Sequence, residues 1–166
     1  MNRKYSEFRS LIIDDNDFMR SLIRDVLESL GFRRRNIFMA SDGLEALNLL
    51  ADEKVHFIIS DCRMQPMDGP TFLGKLRDPE NSPDAFVPVI FCSANTDERH
   101  IERSRDLGLN EVITTSTYIG NLESRVRAVI QRPRPFVNDA RYFGPDHHRR
   151  RGSNSSPLDR RSTKPA

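Results

Sequence analysis

The sequence has no tryptophan, only two cysteines, and no apolar run approaching the ~20 residues of a membrane-spanning helix. Its first residues, Met1-Asn2-Arg3-Lys4-Tyr5-Ser6-Glu7, lack the apolar stretch of a secretory signal. Cys62 and Cys92 stand in no metal-ligand pattern, so reduced thiols in a cytoplasmic protein are expected. Both fall at the ends of expected strands, and packing is the expected role of Cys62, ahead of redox sensing. Glycine patterns that cradle nucleotide phosphates are absent: there is no Gly-x-Gly-x-x-Gly and no Walker lysine. A disulfide scaffold, a helical membrane protein and a nucleotide-loop enzyme are thereby set aside. A chain of 166 residues remains, long enough for one domain and an extension.

Its most informative stretch is Phe57-Ile58-Ile59-Ser60-Asp61, followed by Cys62-Arg63-Met64-Gln65-Pro66-Met67-Asp68-Gly69. A short apolar, β-branched run bounded by turn residues reads as a strand buried on both faces. In an open α/β sheet, ligands sit beyond the carboxyl ends of the strands, which is where Asp61 falls. An aspartate there serves equally well to satisfy loop amides. Ser10-Leu11-Ile12-Ile13 also ends in acids, Asp14-Asp15-Asn16-Asp17. If the two strands are parallel neighbours, Asp14, Asp15 and Asp61 converge and repel unless a proton or cation intervenes. Hard oxygen donors of this kind suit Mg²⁺. Asp17 is expected to cap the following helix.

These pieces resemble the receiver domain of two-component response regulators. The match runs through Ile13-Asp14-Asp15, Asp61 with Met64 to Gly69, Pro88 to Ala94, and Gly108-Leu109-Asn110-Glu111, across about residues 8–131. The resemblance implies a flavodoxin-like five-stranded parallel sheet of order 2-1-3-4-5, with helices on both faces. It implies that Asp61 accepts a phosphoryl group from a histidine kinase or phosphotransfer protein. Mg²⁺ would be held by Asp15, Asp61 and the Arg63 carbonyl, and by Asp14 through water. Ser93 matches the family's hydroxyl switch, and Ala94 leaves room for the phosphate. Two departures stand out. Thr115 occupies the place of the usual lysine, with no lysine anywhere in residues 106–124, and Val112 replaces the usual switch aromatic. Gln65 also stands where the family's loop proline usually falls.

Elsewhere the alternation of strands and helices argues for βαβ units. Phe18, Met19, Leu22, Ile23, Val26, Leu27 and Leu30 recur at helical spacing, and Gly31 follows as a C′ residue. Arg33-Arg34-Arg35 reads as a solvated basic turn. Ile37 to Ala40 predicts a strand, and Asp42-Gly43 opens a helix with Ala46, Leu47, Leu49 and Leu50 facing inward. A helix is expected over Thr71–Arg77, a loop from Asp78 to Val87, and strands at Val89–Cys92 and Val112-Ile113. Residues 97–107 carry few apolar side chains, which predicts a weakly anchored helix. Ile119, Leu122, Val126, Val129 and Ile130 line the last helix of the domain.

Residues 1–131 form the expected receiver domain, and residues 132–166 differ in material. The latter hold nine basic and three acidic residues, against seventeen and twenty-one before them. Their Pro, Arg and Ser content predicts a mostly disordered tail, although Phe136, Tyr142 and Phe143 could dock on the acidic domain or a partner. His147 and His148 are too few to argue a metal site.

Three classes of function follow. One is a phosphorylated signalling switch that is not an enzyme and acts on a downstream protein through the 97–131 face or the tail. A second is a phosphorylation-independent adaptor, favoured by Thr115. A third is an aspartate-nucleophile phosphatase, disfavoured because Arg63 stands where such enzymes carry a second acid. No specific nucleic-acid reader is recognisable, so the basic tail argues only non-specific attraction.

Overall fold

The computed structural model describes residues 5–93, 98–114 and 118–147. Five strands, β1 (Ser10–Ile13), β2 (Ile37–Ala40), β3 (Phe57–Asp61), β4 (Val89–Ser93) and β5 (Glu111–Thr114), form one parallel sheet. Their order is β2-β1-β3-β4-β5, as the resemblance implied. Five helices connect them or follow them: α1 (Asp17–Ser29), α2 (Gly43–Asp52), α3 (Gly69–Leu76), α4 (Glu98–Asp106) and α5 (Tyr118–Gln131).

The apolar runs of the strands are buried on both faces because alternate residues serve two separate cores. Leu11, Ile13, Ile58, Val89 and Phe91 pack with Ala46 and Leu50 of α2 and Phe72, Leu73 and Leu76 of α3. Ile12, Phe57, Ile59, Ile90 and Cys92 pack with Ile23 and Leu27 of α1 and Leu122, Val126 and Val129 of α5. Each fully buried Leu, Ile or Phe contributes roughly 1.5–3 kcal/mol, so the central strands anchor everything placed at their ends. Both cysteines lie buried in these cores and are not joined by a disulfide.

Capping differs from expectation at α1. Asn16, not Asp17, is the N-cap, because its Oδ1 accepts from the amides of both Phe18 and Met19. Asp17 instead occupies the first turn, where a carboxylate favours the positive end of the helix dipole. Gly31 takes the left-handed conformation expected after that helix, with φ of 105°. The third helix starts at Gly69, two residues before Thr71, since Asp68 caps it by accepting from Thr71 N.

The described chain continues as structure beyond residue 131. Two short strands, β6 (Phe136–Asn138) and β7 (Phe143–Pro145), pair antiparallel. Asp139 closes their turn by accepting from the amides of Arg141 and Tyr142. The hairpin docks at the amino ends of β4 and β5: Phe136 and Phe143 lie 5.3 and 5.2 Å from Phe86, centroid to centroid. Beneath them Arg77 is buried. Its guanidinium donates to the carbonyls of Gly108, Ala85 and Val87 and to Asn110 Oδ1, at 2.7–2.9 Å. Phe136 covers it, with the guanidinium carbon 4.9 Å from the ring centroid. Gly108, at φ of 94°, lets β7 approach: a Cβ there would sit 2.9 Å from the Phe143 carbonyl oxygen. Residues 148–166 lie outside the described residues.

Candidate functional site

Asp14 and Asp61 reach the same end of the sheet because β1 and β3 are paired neighbours, with Ile13 opposite Ser60. Asp15 follows in the loop from β1 to α1. Carboxylate oxygens of Asp14, Asp15 and Asp61 all lie within 4.8 Å of one another. Asp14 is buried, Asp61 half-buried and Asp15 exposed, so the cluster opens to solvent on one side.

Burial is the first cause of the electrostatics here. Desolvation pushes the Asp14 carboxyl up to about 6, against the lowering effect of the amide of Asn16, with Asp61 and Asp15 adding repulsion. The Asp61 carboxyl is also raised, chiefly by burial, although the amides of Cys62 and Arg63 favour its charged form. Cys62 N donates to Asp61 Oδ1 at 2.7 Å, which fixes the side chain at the strand end. Two desolvated carboxylates and an exposed third, crowded at an open rim, are a poor arrangement for a bare protein and a good one for a hard dication. The donor set therefore fits Mg²⁺: Asp14, Asp15 and Asp61 supply oxygen, and the Arg63 carbonyl follows two residues after Asp61.

The loop after β3 folds back so tightly that only glycine fits at position 69. A Cβ on Gly69 would lie 2.6 Å from the carbonyl oxygen of Asp61 and 3.0 Å from Cys62 Cα. Gly69 N also donates to Cys62 O. The Asp68-Gly69 pair thus combines a helix cap with the close approach that supports the backbone of Asp61.

Arg20 is a participant that spacing alone did not reveal. Its Nη1 donates to the Asp14 carbonyl oxygen at 2.5 Å, and its Nη2 pairs with Asp17. One turn into α1, it ties the acidic loop to the helix and adds a positive charge beside Asp14. The available signal was the i,i+3 spacing of Asp17 and Arg20.

The other anticipated positions divide. The backbone of Ser93 ends β4 in register with Thr114, while the Ser93 side chain, Ala94 and Thr115 lie outside the described residues. Val112 is half-buried in β5 and packs against the core that contains Phe91. His147 sits in no cluster of metal-ligating side chains among the described residues. Among those residues, no helix is long and apolar enough to cross a membrane.

Comparison with known proteins agrees with this geometry. The family model described as the response regulator receiver domain matches residues 10–127. A probable chemotaxis protein CheY of Rhizobium etli is 32% identical over 123 residues, covering 74% of this chain and 92% of that protein. The chemotaxis protein CheV3 of Helicobacter pylori is 38% identical over 106 residues, covering 59% of this chain and 33% of that longer protein. Among solved structures, the receiver domain of a Pseudomonas aeruginosa sensor histidine kinase superposes with a TM-score of 0.64 at 24% identity. It is matched over 98% of its length and 75% of this chain, and it has a magnesium ion coordinated in its active-site cleft.

Proposed function

Because the chain belongs to the response regulator receiver family, we propose that it accepts a phosphoryl group on Asp61 from a histidine kinase or phosphotransfer protein, in a Mg²⁺-dependent reaction. The observation that carries this is the convergence of Asp14, Asp15 and Asp61 at one end of the sheet. An Asp61 carboxylate oxygen attacks the phosphorus, the bond from phosphorus to the imidazole nitrogen breaks, and an acyl phosphate results. Asp15, Asp61 and the Arg63 carbonyl would hold the metal directly and Asp14 through water. When bound, Mg²⁺ neutralises charge on the transferring oxygens. The amides of Cys62 and Arg63 orient Asp61 and favour its charged form against the effect of burial.

Output is through protein contacts, not a reaction of its own on a further substrate, by way of the 97–131 face or the segment that follows it. Ser93 and Ala94 are assigned to the phosphoryl-binding switch by family position. Thr115 puts a short neutral hydroxyl where a lysine would present a cation, and a charge-assisted contact is roughly twice as strong as a neutral one. Phosphorylation therefore shifts this chain weakly unless a partner adds differential affinity. Thr115→Lys should enlarge the response around residues 97–107 when both proteins are saturated with beryllofluoride.

Labelling with acetyl phosphate and Mg²⁺ tests the central assignment. The label should be labile to hydroxylamine and absent from Asp61→Asn. Undiminished label in that variant moves the acceptor elsewhere. No label in the wild type, from acetyl phosphate or any phosphorylated donor, leaves the adaptor function in its place.

A further inference from the structure

Far from the carboxylate cluster, the end of α4, the start of β5, α5 and the segment after β7 enclose a cavity of about 340 Å³. Its walls include Arg105, Arg125, Arg134, His147 and a single carboxylate, Glu111. That volume falls within the ~300–1,000 Å³ typical of small-molecule sites.

The donors outnumber the acceptors. Glu111 Oε2 accepts from Arg125 at 2.8 Å and Oε1 from Arg134 at 3.0 Å, so both of its oxygens are engaged. Arg105 has no carboxylate partner among the described residues and stands exposed at the cavity rim. Asp106 and Asp146, neighbours in sequence, do not line the cavity. Three guanidiniums thus share one carboxylate.

His147 positions one of these guanidiniums. Arg134 Nη1 lies 3.0 Å from His147 Nδ1, and a guanidinium can only donate, so Nδ1 accepts and the proton resides on Nε2. That Nε2 is closed to solvent and has no hydrogen-bond partner. Burial and the charges of Arg134 and Arg105 hold the imidazole toward its neutral form. With Nδ1 accepting from Arg134, the imidazole holds that guanidinium in place at the cavity wall.

We infer that this cavity is a binding site for a small phosphate-bearing anion, formed where Arg134 and His147, on either side of the hairpin, meet α4, β5 and α5. A phosphoryl group offers several oxygens to more than one guanidinium fork at once. A carboxylate offers two, and Glu111 shows that two are consumed by Arg125 and Arg134 alone. The site is separate from Asp61 and does not depend on its phosphorylation.

Pyrophosphate is the probe. It is titrated into the full chain without Mg²⁺, at constant ionic strength, and followed by amide NMR shifts. Saturable shifts are expected at residues 105, 111, 125, 134 and 147, unchanged in Asp61→Asn. Arg105→Gln, at an exposed position, should weaken binding about tenfold or more. His147→Phe should weaken it while leaving the hairpin shifts in place. Replacing Arg149, Arg150 and Arg151 with glutamine should change it little. Non-saturating shifts, unaltered binding in Arg105→Gln, or loss confined to the Arg149–Arg151 variant would overturn the site. So would loss of binding in Asp61→Asn. Saturation by an acidic peptide with no response to pyrophosphate would overturn the ligand class.

Discussion

At the carboxyl ends of β1 and β3, three carboxylates face one another with little to balance them. At the amino ends of β4 and β5, a guanidinium is buried with hydrogen bonds to three carbonyls and one side-chain amide. Both ends put charge out of water, and the difference lies in what surrounds it. Arg77 loses some affinity for its proton to burial, down to about 10, yet stays charged at any physiological pH. Asp14 is pushed up to about 6, close enough to neutrality for proton or metal to decide its state. One end is built to be finished within the chain, the other to be completed from outside it.

The largest effect is expected from Arg77→Met, which keeps the apolar stem and removes every donor. The Ala85, Val87 and Gly108 carbonyls and the Asn110 side chain would lose their shared partner. A loss of about 3–5 kcal/mol in urea unfolding is expected, as for breaking other buried charged networks. A loss below about 1 kcal/mol would mean that water replaces the guanidinium, and the two ends would be less different than described.

Phe136→Ala should cost less, about 1–2 kcal/mol, by removing the ring over Arg77 and its contacts with Phe86 and Phe143. Labelling at Asp61 should be unaffected. A parallel loss of labelling would show that the hairpin supports the carboxylate end as well.

Asp14→Asn acts at the opposite end and in the opposite direction. Removing a desolvated, repelled carboxylate should stabilise the metal-free protein at pH 7.5 by about 1 kcal/mol, seen as a raised melting temperature. The further rise on adding Mg²⁺ should shrink. Destabilisation instead would show that the charge assistance a carboxylate gives the bond from Asn16 N outweighs the repulsion.

Acidification should separate the ends by sign, with the smallest amplitude. The folded-state pKa of Asp14 is raised from 3.8, so its contribution is complete below about 4 and lost as pH rises through about 6. That of His147 is lowered from 6.5, so its contribution is present above about 6.5 and lost as pH falls. Going from pH 7 to 5 should tighten amide protection around residues 12–16 and loosen it around 136–146 in hydrogen exchange. Both regions moving together would break the comparison.

The carboxylate end was legible in the sequence because it is made of local events. Two apolar runs each stop at an acid, and parallel pairing of β1 with β3 brings those stops together. The strand order came from the family resemblance, since alternation of elements does not choose among orders. Helix starts were read to within a few residues, and the α1 cap shifted by one because Asn16 reaches two amides that Asp17 cannot. The hairpin end was not legible as structure. Its strands are three residues each, too short for a period of two to register. Arg77 looked like the end of a helix, and its role depends on partners 31 and 33 positions away. The three aromatics did mark a segment able to dock.

The glycine at position 108 has a consequence for the order in which this chain assembles. Gly108 belongs to the turn before β5, while the Phe143 carbonyl that crosses it belongs to the last strand, made after α5. Synthesis delivers that contact only after every strand of the five-stranded sheet has been made. Until then Arg77 has its carbonyls but not its aromatic cover. The hairpin should therefore lock a domain already folded, and Gly108→Ala should let the sheet form with native-like speed yet delay or prevent the final closure. In refolding, that would separate a probe at Phe136 from one in β1.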